Sequence, residues 1–430
     1  YFLQNTPVSG IIILLGQMSD MDLKFFLPFW PADGVVDYDF IQDQKLSDEK
    51  KRIWHVFDEP PIDGALISRA NIDDTKWLKE EIKEKGIHET LDYHQGPVIC
   101  DCGAFDYVDQ EEPTYDPEET LEFYEEYGFD LGVTVDHLVV KSINPEDADE
   151  SIELTEEDKE ERIQITIDNA KKMMDLKESD EKYSDITLIG AVQGYDADSY
   201  RRCAEELIDY GFDYIALGGL VRSNSDDIAE IVREVGSMIK EKEEETERNI
   251  RVHGFGIARD DLFDLMERNN FTSFDSATYL RRAWLSKKNN YQLNGDAYSA
   301  VRIRYNNPYS NGTTEEEKEI LQKFENYADG ESELDASDLV EILKDHEEEL
   351  KDEGKIKKTT FENLANAEEE YRRTLEEKPW EDCECPACEN QGIHVCIFRG
   401  NERNMRRGFH NVYNFYKNLS GSDQKSLESY

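Results

Sequence analysis

Basic residues are scarce in this sequence. Its 430 residues include 49 lysines and arginines against 98 aspartates and glutamates, which gives a net charge of −49. A surface with this excess of carboxylates repels phosphate, so binding to nucleic acid requires basic residues that are gathered locally. The same excess is typical of adaptation to high salt, as in a halophilic archaeon or its virus. The normal lysine content argues against this adaptation, because strongly salt-adapted proteins tend to contain little lysine.

Cysteine is also sparse, with 7 residues, and long apolar runs are missing. Three of the cysteines are clustered, which does not fit a disulfide framework and favours a reducing compartment, the cytoplasm or a host cytoplasm. The apolar run at residues 11–15 is too short to span a bilayer, so we expect no membrane partner. No internal repeat, low-complexity tract or coiled-coil heptad stands out.

Short apolar runs alternate with amphipathic, acidic helical patterns between about residues 97 and 278. This alternation indicates βα units on a parallel sheet. Two apolar runs nearer the N-terminus bring the count to eight units, which predicts a (β/α)8 TIM barrel of the α/β class. The predicted strands are residues 11–15, 64–67, 98–101, 131–136, 187–193, 214–219, 251–256 and 272–275. The predicted helices include residues 117–127, 156–174, 197–210 and 226–243.

Polar residues stand at the ends of several predicted strands. They are Asp101, Asp136, Gln193, the pair Gly218 and Gly219, and Asp275. In a (β/α)8 barrel these ends converge on one mouth, where the active site lies. Each residue alone could be a helix N-cap or a turn residue, but five successive coincidences indicate a shared pocket. Two carboxylates there permit displacement at a sugar carbon, one attacking and the other moving protons.

The C-terminal segment has a cysteine cluster with metal-ligand spacing. Its C-x-C-x-x-C members are Cys383, Cys385 and Cys388. Three thiolates this close, with one further ligand, suit a closed tetrahedral zinc site, which is structural because it leaves no position for water. His410, His394 and Cys396 are the candidates for the fourth ligand.

The ordered set of motifs resembles the tRNA-guanine transglycosylase superfamily, whose members exchange guanine for a 7-deazaguanine in nucleic acid. The matching elements, in family order, are Asp101-Cys102-Gly103-Ala104-Phe105, Asp130 with Asp136, Val192-Gln193-Gly194, Leu217-Gly218-Gly219-Leu220, His253-Gly254-Phe255-Gly256, Phe274-Asp275-Ser276, and the cysteine cluster followed by His410-Asn411. The resemblance covers about residues 95–416. It implies that His410 is the fourth zinc ligand and that the zinc region forms a homodimer contact.

The resemblance also implies a double displacement at C1′ of a nucleoside. Asp275 would be the nucleophile that forms a covalent glycosyl-aspartate, and Asp101 would be the general acid/base that deprotonates the incoming deazaguanine. Asp136 would bind the amino and ring N–H edge of the base. The remaining base contacts would be Gln193 and the N–H of Gly219 on O6, with Gly218 beside them, the carbonyl of Leu220 near the 7-substituent, and Phe105 or Tyr107 stacked on the ring.

One departure from the family pattern bears on the nucleic acid. Members commonly have Pro-Thr-Arg after the nucleophile, whereas residues 277–282 of this chain are Ala-Thr-Tyr-Leu-Arg-Arg. This change favours the branch that inserts a 7-deazaguanine, such as 7-cyano-7-deazaguanine, into DNA, with tRNA as the alternative substrate. Two clusters of basic residues lie close in sequence to the candidate nucleophile and to the candidate zinc ligands. The expected nucleic-acid contacts in these clusters are Arg281, Arg282, Arg406 and Arg407.

Two other functional classes compete with a pentosyltransferase. A non-catalytic nucleic-acid-binding homologue would not need Asp101, Asp136 and Asp275 together. A (β/α)8 glycosidase or nucleosidase would use water as the acceptor and gives no reason for the cysteine cluster.

The alternation of strands and helices stops at about residue 291, and residues 314–378 predict charged helices with apolar faces. We therefore expect three parts: a catalytic barrel over residues 1–290, a helical acidic region packed on it over 291–378, and a zinc-binding subdomain with a final helix over 379–430.

Overall fold

A computed structural model describes residues 23–143, 152–306, 313–357, 366–389 and 391–427. Two compact units divide the chain, one made of residues 1–31 and 62–277 and the other of residues 32–61 and 278–430. The three-part division at residues 290 and 378 stays a prediction. No helix among the described residues is both long enough and apolar enough to cross a bilayer.

The first unit is a closed barrel of eight parallel strands. They are β1 (Lys24–Pro28), β2 (Gly64–Ser68), β3 (Val98–Asp101), β4 (Leu131–Val133), β5 (Thr187–Val192), β6 (Tyr214–Leu217), β7 (Arg251–Gly254) and β8 (Phe271–Asp275). Pairing of β8 with β1, in which Phe274 lies opposite Phe25, closes the barrel. The predicted (β/α)8 fold is confirmed.

Strand β1 was not predicted from the sequence. The run at residues 11–15, which was expected to supply it, lies outside the described residues, and Lys24–Pro28 pairs with both β2 and β8. Alternate strand residues fill the interior of a barrel. Here an apolar cluster is made of Phe26, Leu66, Ile99, Leu131, Val133, Ile189, Ala191, Tyr214 and Ala216.

Five long helices connect the strands of this unit. They are α1 (Lys76–Lys85), α2 (Pro117–Tyr127), α3 (Glu156–Ser179), α4 (Ala197–Tyr210) and α5 (Ser225–Thr246). The shorter elements are helices Arg69–Asp73, Ile87–Leu91 and Phe263–Glu267, the 3-10 turns Ala104–Tyr107, Glu181–Tyr183 and Leu220–Arg222, and a hairpin of Ser142–Ile143 with Ile152–Glu153.

The starts of these helices follow from capping residues. Asp116, Thr155, Asp196 and Asn224 each accept a hydrogen bond from a backbone N–H of the first turn, which satisfies a donor that the helix itself cannot. The predicted ranges 117–127 and 197–210 match the observed helices, whereas 156–174 and 226–243 are shorter than α3 and α5.

The second unit is mainly helical. It contains α6 (Thr278–Leu285), α7 (Glu315–Ala328), α8 (Ala336–Asp352), α9 (Glu368–Glu377) and α10 (Gly400–Leu427), with a short helix Ile53–Val56 and a 3-10 turn Gly392–Cys396. Its strands are short pairs: Tyr38–Asp39 with Gln44–Lys45, Tyr291–Leu293 with Asp296–Tyr298, and Val301–Arg302 with Ile397–Phe398.

Candidate active site and metal centre

Three carboxylates lie at the C-terminal ends of barrel strands. Asp101 is the last residue of β3, Asp275 is the last residue of β8, and Asp136 follows β4. Burial, together with the negative charges of Asp275 and Asp136, raises the pKa of Asp101 to about 7. Such an effect requires short separations, so the three predicted carboxylates lie close together at this end of the barrel.

The Asp101 side chain shapes the turn that follows β3. Its Oδ1 accepts a hydrogen bond of 2.8 Å from the N–H of Gly103. Gly103 has a φ of +77°, and a Cβ there would lie 2.6 Å from the Cβ of Ala70. Only glycine fits this turn.

The two oxygens of Asp275 have different surroundings. Oδ1 accepts hydrogen bonds from the N–H of Gly256 at 3.0 Å and from Nε2 of His253 at 3.2 Å. No described residue donates to Oδ2. The residue is 7% exposed, so the carboxylate is nearly buried, with its Oδ1 held by two donors.

Asp136 and Gln193 contact each other directly. Nε2 of Gln193 donates to Oδ2 of Asp136 at 2.6 Å, while the thiol of Cys102 donates to Oδ1 at 3.0 Å. Burial raises the pKa of Asp136, although both hydrogen bonds oppose the shift. The Gln193 carbonyl accepts from the N–H of Val139 at 3.4 Å. These contacts orient a carboxyl and an amide group side by side.

The glycine pair after β6 packs tightly against Gln193. A Cβ on Gly218 would lie 2.3 Å from Nε2 of Gln193, so a side chain there would displace the amide. The N–H of Gly218 donates to the carbonyl of Val192 at 3.0 Å. Gly219 has a φ of +76°, and no described residue accepts its N–H. Leu220 is buried, and its carbonyl accepts from the N–H of Ser223.

The structure separates the two aromatic candidates for stacking on a base. Tyr107 is 1% exposed, and its hydroxyl donates to the backbone carbonyl of Asp136 at 3.0 Å. Phe105 is 54% exposed. Tyr107 therefore supports the pocket from within the fold, and Phe105 is the aromatic side chain that a ligand can reach.

A chain of polar groups in contact with Asp275 was not predicted from the sequence. Nδ1 of His253 lies 2.8 Å from Oγ of Ser273, which lies 2.6 Å from the hydroxyl of Tyr214. His253 and Ser273 are register partners on β7 and β8. Polar residues in the middle of otherwise apolar strands were the available signal.

The basic cluster near the end of the chain, with Arg406 and Arg407, is not on the surface. Arg407 is fully buried, and its guanidinium donates to the carbonyls of Ala283, Val395 and Ile397. Arg406 is 8% exposed and donates to the carbonyl of Val36. A buried guanidinium with its donors occupied is not available to a phosphate, so the expected role of these two arginines in nucleic-acid binding does not fit their placement.

Arg281 and Arg282, on α6, are partly exposed. Burial lowers the pKa of Arg281, and the carboxylate of Asp33 opposes the shift. The Arg282 guanidinium lies over the ring of Tyr279, 5.2 Å from its centroid. These two arginines remain the proposed contacts with a nucleic acid.

The second unit contains a group of four side chains that could hold a metal ion. It consists of Cys383, Cys385, Cys388 and His410, whose ligand atoms all lie within 4.8 Å of one another. The Nδ1 atom of His410 lies 3.2, 3.6 and 3.2 Å from the three sulfurs in chain order. Three sulfurs and one nitrogen at these separations fit a tetrahedral site closed by protein ligands.

The surroundings of His410 prepare it as a ligand. Its Nε2 donates to the carbonyl of Gln292 at 2.7 Å, so Nδ1 is left without a proton and faces the sulfurs. The ring stacks on Tyr291, with centroids 3.9 Å apart. Burial, with the neighbouring thiols Cys383 and Cys385, raises the pKa of Cys388. A cation is the natural counterion for thiolates in such a site.

The alternative fourth ligands do not join this group. Nε2 of His394 lies 3.4 Å from a carboxylate oxygen of Glu325, and its ring stacks on Phe40. Cys396 is fully buried, and burial raises the pKa of its thiol.

Comparisons with known proteins agree with this geometry. A family model described as TGT: Queuine tRNA-ribosyltransferase matches residues 66–256. The DNA-guanine transglycosylase of Salmonella montevideo is 30% identical over 428 residues, which cover 92% of this chain and 96% of that protein. The tRNA-guanine(15) transglycosylase of Methanococcus aeolicus is 28% identical over 204 residues, which cover 47% of this chain and 28% of that protein.

A third relative, the tRNA-guanine(15) transglycosylase of Haloarcula marismortui, is 25% identical over 206 residues, which cover 47% of this chain and 37% of that protein. The match to the DNA-guanine transglycosylase thus extends over nearly the whole of both chains, whereas the matches to the tRNA enzymes cover about half of this one. The chain belongs to the TGT family of guanine transglycosylases, whose members are glycosyltransferases.

Proposed function

We propose that the protein is a pentosyltransferase that replaces guanine in DNA with a 7-deazaguanine derivative, through a covalent bond between Asp275 and C1′ of the nucleoside. The observation that carries this proposal is the pairing of two unlike carboxyl groups at one end of the barrel. Asp275 has one oxygen fixed by two donors and one left for a substrate, while the pKa of Asp101 is raised to about 7. A nucleophile and a proton carrier need these two environments.

The first displacement opens the nucleoside. Oδ2 of Asp275 attacks C1′ and the bond from C1′ to N9 of guanine breaks, so the electron pair of that bond leaves with the base. Asp101, protonated in part near neutral pH, gives a proton to the departing guanine. The sugar is then held as an ester on Asp275.

The second displacement restores the enzyme. The incoming 7-deazaguanine loses its N9 proton to the Asp101 carboxylate, and N9 attacks C1′. The ester bond breaks, and its electron pair returns to Asp275 as a carboxylate. Protons and charges balance over the cycle, because Asp101 gives one proton and takes one.

The base is bound by groups that converge on the same pocket. Asp136 accepts from the amino and ring N–H edge, and Gln193 with the N–H of Gly219 binds O6. The direct contact between Asp136 and Gln193 and the absence of a described acceptor for the Gly219 N–H support this arrangement. The carbonyl of Leu220 lies toward the 7-substituent, such as the cyano group of 7-cyano-7-deazaguanine, and the exposed ring of Phe105 stacks on the base.

DNA is the proposed nucleic acid, and tRNA is the second candidate. The near full-length similarity to a DNA-guanine transglycosylase favours DNA, while the partial matches to tRNA enzymes keep tRNA open. A stacked base cannot reach a pocket at a barrel mouth, so the substrate is single-stranded or flipped out. Arg281 and Arg282 supply local positive charge on a chain whose net charge is −49. A non-catalytic homologue would not require the two unlike carboxyl environments.

We propose Zn²⁺ as the ion held by the three cysteines and His410. It would neutralise thiolates and tie the loop of the cysteines to α10 without taking part in the reaction. The clustered thiols suit a reducing, cytoplasmic compartment. A homodimer through this region is part of the same proposal.

Exchange of labelled guanine tests the proposed function. The purified protein is given labelled guanine with single-stranded DNA or with tRNA, at low and high salt, and the Asp275→Asn variant is the control. Label that enters DNA alone supports the proposal. Label that enters tRNA alone moves the activity to tRNA, and label that enters neither with the wild-type protein contradicts the assignment.

A further inference from the structure

His253 lies in the barrel interior directly behind Asp275. It is fully buried, although a histidine carries two polar ring nitrogens that need partners. Nε2 lies 3.2 Å from Oδ1 of Asp275, and Nδ1 lies 2.8 Å from Oγ of Ser273. The hydroxyl of Tyr214 lies 2.6 Å from the same Oγ. Both ring nitrogens are thus satisfied by one continuous chain of polar groups.

The chain has a defined direction. An ionised carboxylate only accepts, so Nε2 of His253 carries a proton and donates to Asp275. In the neutral imidazole Nδ1 then accepts, so the Ser273 hydroxyl donates to it and receives a hydrogen bond from Tyr214. Burial raises the pKa of Tyr214, which keeps its hydroxyl protonated and able to donate.

Aromatic packing holds the imidazole in this position. The ring of Phe26 meets it edge-on, with centroids 5.8 Å apart, and the ring of Phe255 does so at 4.8 Å. The N–H of Gly256 donates to the same carboxylate oxygen at 3.0 Å. Two donors, one on β7 and one in the turn that follows it, therefore hold Oδ1, and rotation of the Asp275 carboxylate would break both hydrogen bonds.

We infer that His253 is a positioning residue for the reaction: its Nε2–H fixes Oδ1 of Asp275 so that Oδ2 attacks C1′, and it stabilises the carboxylate that forms when the ester breaks. This inference rests on the proposed function. In the ester, Oδ1 is a neutral carbonyl oxygen, whereas in the free enzyme it shares a negative charge. A hydrogen bond to a charged acceptor is the stronger of the two. The His253 contact therefore favours the free carboxylate over the ester.

The test measures how the enzyme divides between the free and the covalent form. Wild-type protein, His253→Leu and His253→Gln are mixed with excess DNA and guanine, quenched with denaturant during steady exchange, and separated on a denaturing gel. For His253→Leu we expect the ratio of covalent to free enzyme to rise on the order of tenfold, because only the charged acceptor loses a strong hydrogen bond. Exchange slows, since expulsion of Asp275 from the ester is slower.

His253→Gln retains a donor and an acceptor and should restore a ratio close to that of the wild type. Val252→Ala is the matched control: it removes a buried side chain from the same strand without touching Asp275, so it should change stability and leave the ratio unchanged. Ser273→Ala removes the donor to Nδ1 and should give an intermediate ratio, which keeps the inference testable if His253→Leu does not fold.

An unchanged ratio in both His253→Leu and Ser273→Ala would overturn the role of His253 while leaving the proposed function intact. Wild-type protein that exchanges no guanine and forms no covalent species would overturn the proposed function, and the inference with it.

Discussion

Replacement of Asp101 by Asn should stabilise the protein while abolishing exchange. The pKa of Asp101 is raised from 3.8 to about 7, first by burial and then by the charges of Asp275 and Asp136. The folded state therefore binds the proton more tightly than the unfolded state. Ionisation of Asp101 in the folded state therefore lowers the free energy of unfolding. This loss is absent below about pH 4, grows as the pH rises toward 7, and reaches its full size above pH 7. Asn carries no proton and avoids this loss.

The size of the effect follows from the shift. About three pKa units correspond to roughly 4 kcal/mol, and because Asp101 is partly exposed we expect about half of this after solvent screening. A gain of about 2 kcal/mol raises the unfolding temperature of a unit of this size by about 4–8 °C. The Asn carbonyl can still accept from the N–H of Gly103, so the turn after β3 is retained.

Thermal unfolding of the wild type and Asp101→Asn between pH 4 and pH 8 measures the difference in stability between the two proteins. We expect the two curves of unfolding temperature against pH to coincide near pH 4 and to separate up to pH 7. In the Asp275→Asn background the separation should shrink, because one of the neighbouring charges is gone. A difference that does not depend on pH, or a variant that is less stable at pH 8, would refute the assignment of a raised pKa to Asp101.

Three further outcomes are expected. Cys388→Ala should lose bound zinc, measured by atomic absorption, and unfold at a lower temperature, whereas Cys396→Ala should keep the full zinc content. Gly218→Ala should displace the Gln193 amide and lower kcat/KM for guanine on the order of 10²-fold, with an unfolding temperature that changes far less. Arg407→Met should lower the free energy of unfolding by about 3 kcal/mol or more, because buried carbonyls lose their donors. The affinity of the folded protein for DNA should not change. If the variant's binding to DNA depended less on salt than that of the wild type, Arg407 would have a role in DNA contact after all.

The fold could be predicted because strand and helix periods alternate regularly along the chain. Seven of the eight barrel strands lie within or next to predicted runs, since buried parallel strands are continuous apolar segments. β1 was missed because its five residues, Lys24–Pro28, are preceded by a more uniformly apolar run at residues 11–15. Which of two nearby runs enters the sheet depends on pairing with β2 and β8, and a single sequence does not contain that information.

The parts of the candidate site that follow from the local sequence were predicted. The contacts that follow from the pairing register between strands were missed. A carboxylate at the end of a strand is visible in the sequence, and so is a C-x-C-x-x-C spacing. The contact of His253 with Asp275 arises from the stagger between β7 and β8, where the pairing shifts by one residue beside His253. The sequence alone does not define that stagger.

The arginines show the limit of reasoning from charge. Basic residues close together on a strongly acidic chain suggest a surface for phosphate, but Arg406 and Arg407 are buried. Two further arginines just before them, Arg399 and Arg403, both bind the buried carboxylate of Asp43. Asp43 is 356 residues from Arg399 in the sequence. Although burial opposes it, these two guanidinium groups hold the pKa of Asp43 at about 2. Partners this distant along the chain become apparent only once the chain is folded.

The proposed reaction requires a covalent bond between Asp275 and C1′. Its most direct test is to quench the enzyme with denaturant during exchange on DNA, digest it with protease, and locate the sugar-bearing peptide by mass spectrometry. We predict that the added mass lies on Asp275 and is absent from the Asp275→Asn variant. A sugar on Asp101 or Asp136, or steady exchange by Asp275→Asn, would contradict the account.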